Sequence, residues 1–139
     1  YEAVMKAVKV MTDKVGTGMR ISANKVTVST VGIVSRVKEF CLDQSTKTNL
    51  AVSIHSADNT TRSEIVPINK KNNLSLLIKT LEEFYPRDGE NGKLLIIQYT
   101  LLEGVNDSVV DAERLAKKIS NLRCVVNLIL FNSHPGASF

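Results

Sequence analysis

Tryptophan is absent from this 139-residue chain, aromatic residues make up 5% of it, and cysteine and histidine occur twice each. Cys41 and Cys124 stand far apart and form neither a CxxC pair nor any other metal-ligand spacing. Each lies in an apolar pattern, which reads as a small buried hydrophobe in a reducing compartment. With so few donors, the chain's own residues do not suffice for a metal site. No apolar run approaches the ~18 residues that a membrane span needs, and no signal-peptide pattern opens the chain. There is no Walker loop, no G-x-G-x-x-G and no H-E-x-x-H, so the commonest nucleotide and zinc-protease signatures are missing.

What is present is ordinary for a globular protein: 43% hydrophobic and 23% charged residues. The length fits a single domain over residues 1–139, able to bury about two-thirds of its unfolded surface. Eighteen basic against fourteen acidic residues give a net charge of +4, a mild lean toward polyanions such as RNA. The basic residues are scattered, adjacent only at Lys70-Lys71 and Lys117-Lys118, as solvated helix faces and loops would have them.

Helix and strand patterns alternate. Val4, Ala7, Val8 and Met11 recur at helical spacing over 1–12, and with no cap ahead of them the expectation is a chain cut from a longer protein. The β-branched run Lys25 to Val31 predicts a strand, Gly32 a turn, and Val34, Val37 and Cys41 a helix. Leu50 to Ile54 is the next strand, and Thr60 to Ile65 a short helical turn ended by Pro67. Asn73 caps a helix carrying Leu74, Leu77, Ile78, Leu81 and Phe84, stopped by Pro86. After the loop RDGENG, Lys93 to Leu102 reads as a strand. Asn106 or Asp107 then caps a helix bearing Ala112, Leu115, Ala116 and Ile119, and Cys124 to Phe131 is the last strand. The strands are too apolar for a sheet with one wet face, so they are expected to be parallel and covered by helices. This is α/β architecture with parallel strand-helix repeats, either a small doubly wound sheet or a piece of a larger barrel.

Ligands in such folds bind at the C-terminal ends of the strands. In LAVSIHSADNTTRSEIVPINKK, strand alternation points Ser53 and His55 the same way at such an end. A nucleophile-base pair is the poorer reading, because residues two apart on a strand project in parallel and the Gly-x-Ser-x-Gly elbow is missing. A polar ligand contact and a hydrogen-bonded structural histidine both remain open. Ser29 holds a comparable place beside Thr30 and Gly32, where small residues permit close backbone approach and ordinary turn chemistry serves equally well. Asn132 follows the last strand and offers a donor and an acceptor to a heteroaromatic ring. His134, Pro135 and Gly136 after it are turn residues.

Four segments in this order, KVTVSTVGIV, LAVSIHSADNTTRSEIVPINKK, YTLLEGVND and VVNLILFNSHPG, resemble the radical S-adenosylmethionine methyltransferases of the RlmN/Cfr family. The resemblance covers nearly the whole chain. It implies the central and later portion of a partial (β/α)6 TIM-like barrel, with Ser29, the Ser53-Ile54-His55 segment and Asn132 contacting S-adenosylmethionine. It further implies methylation of carbon 2, or in one branch carbon 8, of an adenine in large-subunit rRNA, with tRNA as a second RNA class. In the family, a [4Fe-4S] cluster held by C-x-x-x-C-x-x-C cleaves the cofactor to a 5′-deoxyadenosyl radical, and a C-terminal cysteine carries the methyl group. Those cysteines and the Gly-Glu-Pro motif are not in this sequence, so no catalytic or metal-ligating residue is assigned here and the chain alone is expected to be inactive. Cys124 resembles a family cysteine at a strand start, not the methyl carrier.

Departures from the family pattern stand at Val31, Asp58, Gln98, Leu130 and Ser133. They leave room for a radical enzyme with another substrate, or for a non-catalytic half-barrel that binds RNA or a protein partner. No membrane partner is expected. A cytoplasmic setting follows for a bacterial source and an organellar one for a eukaryotic source. A cut barrel would also expose sheet edges and invite artefactual self-association.

Overall fold

Among the described residues four strands, β1 (Thr27–Thr30), β2 (Asn49–Ser53), β3 (Leu95–Leu101) and β4 (Val125–Leu130), lie side by side in sequence order. They belong to a computed structural model that describes residues 1–16, 18–43, 47–89 and 94–132. Every neighbouring pair is parallel, with Val28 level with Leu50, Leu50 with Leu95, and Ile96 with Val125. A doubly wound sheet reverses its strand order at a switch point. No reversal occurs among the described strands, and right-handed crossovers repeated in one direction carry the connecting helices to one face. The fold is an arc of a TIM-like barrel, which resolves the two alternatives that strand count left open.

Among the described residues five α-helices, α1 (Glu2–Thr12), α2 (Val34–Leu42), α3 (Asn59–Ile65), α4 (Leu74–Phe84) and α5 (Val109–Lys118), accompany the sheet. Leu50 and Val52 from β2, Ile54 just after it, and Leu95, Ile97 and Tyr99 from β3 meet Val37, Phe40, Leu77, Leu81 and Leu115 in one buried cluster. Each large aliphatic side chain so buried contributes ~1.5–3 kcal/mol. Alternation assigns Ser29, Ala51, Ser53, Ile96, Gln98, Thr100, Val125 and Asn127 to the opposite face, the one a barrel turns inward.

Local chemistry explains most element ends. Asn73 caps α4 as expected, accepting the Leu76 N–H at 2.9 Å. Asp58 caps α3 through the Thr61 N–H at 2.8 Å. The cap of α5 is Ser108, not Asn106 or Asp107: Ser108 and Asp111 form a reciprocal capping box, while Asn106 is drawn into the interior. β1 is shorter than the pattern predicted, because Ala23–Lys25 form a 3-10 turn and Gly32 takes a φ of +93°.

Two predicted stripes shift. In α1, Met5 and Val8 are buried and Val4 is 47% exposed. In α5, Leu115 is buried and joins the core cluster, but Ala112 and Ala116 are exposed. Among the described residues no helix is long and apolar enough to cross a membrane. Lys93 and residues 90–92 of the RDGENG loop lie outside the described residues.

Candidate functional site

Strand register decides which side chains share the inward face. Ser53 of β2 is level with Gln98 of β3, and Gln98 with Asn127 of β4, so three polar residues form one row across apolar strands. Ser53 Oγ donates to Gln98 Oε1 at 3.3 Å. Ser29 is level with Ala51, one layer below this row on the same face, and is exposed. Continuing the same register puts Val31 beside Ser53, so two of the family departures, Val31 and Gln98, flank that serine.

β2 ends at Ser53, and strand alternation therefore does not carry on to His55 as the sequence reading assumed. His55 adopts the left-handed conformation, with φ 56°, uncommon for a residue with a side chain. Three long-range hydrogen bonds hold it there, the longest from its own N–H to the Gln98 carbonyl at 3.4 Å. Its Nδ1 accepts the Thr100 N–H at 3.0 Å, and its carbonyl accepts from Asn106 Nδ2 at 2.6 Å. A ring nitrogen that accepts carries no proton, so the neutral imidazole bears its hydrogen on Nε2. Burial, and then the nearby Arg62 guanidinium, hold its pKa below the usual histidine range. His55 is thus a fixed, neutral N–H donor beside the strand ends, and it is not hydrogen-bonded to Ser53.

Ile54 contributes backbone rather than side chain. Its side chain is buried in the core, its N–H donates to the Gln98 carbonyl at 3.0 Å, and its own carbonyl accepts from Arg62 Nε at 3.1 Å. Arg62 is the residue that sequence reasoning missed. Fully buried in α3, it also donates to the carbonyls of Val31 and Ser53, each at 3.0 Å, and to Asn69 Oδ1. Asn69 in turn is fixed by Asn59 and Ser63. One guanidinium therefore ties together the chain just past β1, the end of β2 and the turn at Pro67–Lys70. Burial lowers its pKa to about 10, which leaves it charged at neutral pH. Asn106 plays the matching part on β3: its side chain donates to His55 and Thr100 carbonyls and accepts the Leu102 N–H at 2.7 Å. Arg62 and Asn69 both fall in the motif that carried the family resemblance, and that was the available signal.

Asn132 is exposed, two residues beyond Leu130. In the β4 alternation its position falls with Val126, Leu128 and Leu130 on the helix side, so it reaches the sheet's end as a loop residue. The asparagine that β4 itself presents inward is Asn127, a lone polar residue in VVNLIL. No hydrogen bond joins Ser29 or Asn132 to the other candidates among the described residues. Ser133 and residues 134–136 lie outside the described residues. A cavity of about 180 Å³, lined in part by Tyr1, Val28, Ser29, Ile33, Val37 and Phe40, lies beside α1, α2 and β1; of the candidate residues Ser29 borders it, and the row of Ser53, Gln98 and Asn127 does not.

The donor chemistry separates two groups that the family resemblance implies. Hydroxyl, amide and imidazole N–H groups on the inward face and its rim suit the hydroxyls and ring nitrogens of a nucleoside. An iron–sulfur cluster needs thiolates. Cys41 is buried in α2, and Cys124 lies at the N-terminal end of β4, remote from the rim, with burial raising its thiol pKa. Among the described residues no group of three or more His, Cys, Asp or Glu side chains is placed to hold a metal ion.

No protein-family model matches the chain. Over its full length it is 39% identical to a probable dual-specificity RNA methyltransferase RlmN of Salinibacter ruber, of which it covers 37%. It is 35% identical, again over its full length, to the dual-specificity RNA methyltransferase RlmN of Nautilia profundicola, covering 38% of that protein. The solved structure of a radical SAM methyltransferase from Sphaerobacter thermophilus superposes with a TM-score of 0.88 at 36% identity, over 99% of this chain and 39% of the other. The chain therefore spans less than two-fifths of the length of these relatives.

Proposed function

We propose that the chain is a segment of an RlmN-like radical SAM methyltransferase, as its similarity to such proteins supports, and that residues 1–139 act as one unit that binds the nucleoside part of S-adenosylmethionine. The observation that carries this reading is the polar row Ser53, Gln98 and Asn127 across otherwise apolar strands, with Ser29 below it and His55 locked beside it. In this reading the Ser29 and Ser53 hydroxyls pair with ribose hydroxyls. Nε2–H of His55 donates to an acceptor of the cofactor, and Asn132 meets the purine edge from its loop. Ile54 holds the backbone between them in register. Arg62 and Asn106 touch no ligand and act as positioning residues.

The cofactor supplies radical and methyl chemistry when it is bound together with a reduced iron–sulfur cluster. This segment offers no ligands for that cluster among its described residues, and no catalytic step is assigned to it. The whole protein is proposed to methylate an adenine carbon, C2 or C8, in large-subunit rRNA or tRNA through a methyl-cysteine. The names of the relatives as dual-specificity RNA methyltransferases support the RNA class, as does the net charge of +4.

Calorimetric titration with S-adenosylmethionine tests the cofactor reading. Ser53→Ala and Asn132→Ala should each weaken binding roughly two- to tenfold, the worth of one lost hydrogen bond. Affinity unchanged in both variants would remove the rim assignment.

A further inference from the structure

Four cations converge on one groove on the helical side of the sheet. Lys79 of α4 and Arg114, Lys117 and Lys118 of α5 line it, and Asp58 and Glu82 are its acidic residues. Four positive less two negative charges leave +2, half the net +4 of the whole chain. Arg114 lies 3.7 Å from Asp111 of its own helix. Lys79, Lys117 and Lys118 take part in no ion pair among the described residues, although two carboxylates share the groove with them. The groove has a volume of about 760 Å³, and Asp58, three residues after His55 in the sequence, is part of its lining.

We propose that this α4–α5 groove docks the phosphodiester backbone of RNA. Positions 114, 117 and 118 share one face of α5 by helical spacing, and Lys79 approaches from α4. Like charges gathered without partners repel one another, and a bound anion reverses the sign of that energy. Ammonium groups are compact point charges that bind phosphate without demanding a planar partner. Among the described residues no aromatic side chain lines the groove, and three of its four cations are ammonium groups with no planar face for a base, which favours contact with the backbone, indifferent to sequence. A protein partner would call for an apolar anchor at the centre, and Ile78, the large apolar residue of the lining, is already 95% withdrawn into the core, with 5% exposure. The partner's identity rests on the RNA reading of the proposed function; the surface itself does not.

The test is fluorescence anisotropy on the full natural protein with two labelled single-stranded RNAs of equal length and unrelated sequence, over a range of salt. Lys79→Glu/Lys117→Glu in the groove is compared with Lys6→Glu/Lys9→Glu on exposed positions of α1, which makes the same change in net charge. The groove pair should lose about tenfold or more in affinity, equally for both RNAs, with the salt slope reduced by about 1.5 for two lost phosphate contacts. The α1 pair should change affinity less than about twofold. Lys79→Gln/Lys117→Gln, with melting followed by circular dichroism, should show the same direction in a folded protein. Equal losses in the two charge-reversal pairs, an unchanged salt slope, or tighter binding of polyglutamate than of RNA would overturn the proposal. Titration of the groove variants with S-adenosylmethionine should show unchanged affinity, so failure at the rim and failure at the groove give different results.

Discussion

Nδ1 of His55 accepts the backbone N–H of Thr100 at 3.0 Å, joining residues 45 apart in sequence. The bond requires an unprotonated Nδ1, and it fixes both the tautomer of the ring and its place above β3. Acid should therefore loosen it. The folded pKa lies below the ordinary value of 6.5 through burial and then Arg62, so the unfolded chain binds this proton more readily than the folded one. The stability contributed by His55 is complete above an ordinary pKa of 6.5 and is lost as pH falls through that value toward the lower folded one. Denaturant midpoints should fall between about pH 7 and pH 5.5. His55→Asn tolerates a positive φ and keeps an acceptor for Thr100, so it should flatten that segment of the curve. A slope that survives in the variant would assign it to other groups.

Arg62 gives the second prediction. Its guanidinium donates to the carbonyls of Val31, Ser53 and Ile54 at once. Ile54 keeps the Ser56 N–H at 2.7 Å, so removing the guanidinium takes the donor from the Val31 and Ser53 carbonyls and from Asn69 Oδ1. Arg62→Ala should cost about 2 kcal/mol or more, since each buried acceptor left without a donor costs ~1–3 kcal/mol. Arg62→Lys should recover little, because one ammonium cannot reproduce a planar fork that spans two strand ends. Urea unfolding of both variants checks this. A lysine variant as stable as the parent would show that charge, not fork geometry, is what the site needs.

These two residues also mark what was and was not legible in the sequence. The strands were legible because β-branched runs such as KVTVST announce themselves locally, and their apolarity on both faces announced parallel pairing. Ser53 on the inward face followed from alternation alone. His55 did not, because its left-handed backbone is imposed by Thr100 and Asn106 from another strand and its loop. Arg62 reads locally as a solvated charge in a polar turn, and becomes a buried tie only when that turn folds back under the ends of β1 and β2. VVNLILFN looks continuous and so puts Asn132 at a strand tip, yet β4 stops where its register with β3 stops, at Leu130 opposite Leu101. The cap of α5 followed the same logic: Asn106 has the right chemistry for a cap, and its bonds to His55 and Thr100 claim it first.

Gly32 and Gly104 provide a controlled pair. Both have positive φ, +93° and +69°, so alanine is strained at either position. A Cβ on Gly32 would also fall 2.5 Å from Leu77 Cδ2, whereas one on Gly104 meets nothing within 4 Å. Leu77 is fully buried and has no free space to yield. Gly104→Ala should therefore cost about 1 kcal/mol, and Gly32→Ala about 2–4 kcal/mol, with overpacking added to strain. Thermal melts of the two single variants and of Gly32→Ala/Leu77→Ala separate the terms. If the smaller Leu77 side chain relieves none of the excess, the overlap is not its cause.

Self-association should originate at β4. Among the described residues this strand pairs with β3 alone, so its other edge presents unpaired N–H and C=O groups. Edges of this kind recruit further strands unless charge, proline or a bulge blocks them, and VVNLIL contains none of the three. Its helix-side residues are exposed as well, Leu128 at 61% and Leu130 at 76%, which adds an apolar face to the open edge. The isolated chain should therefore form dimers or larger species that dissociate on dilution, seen by size-exclusion chromatography with light scattering. Leu128→Lys places a charge on that face without touching the buried cluster and should shift the population to monomer while leaving the melting temperature within a few degrees. A parent chain that stays monomeric at high concentration would mean that the edge is covered in solution. An oligomer indifferent to Leu128→Lys would place the contact elsewhere, with the groove between α4 and α5 as the next surface to reverse in charge.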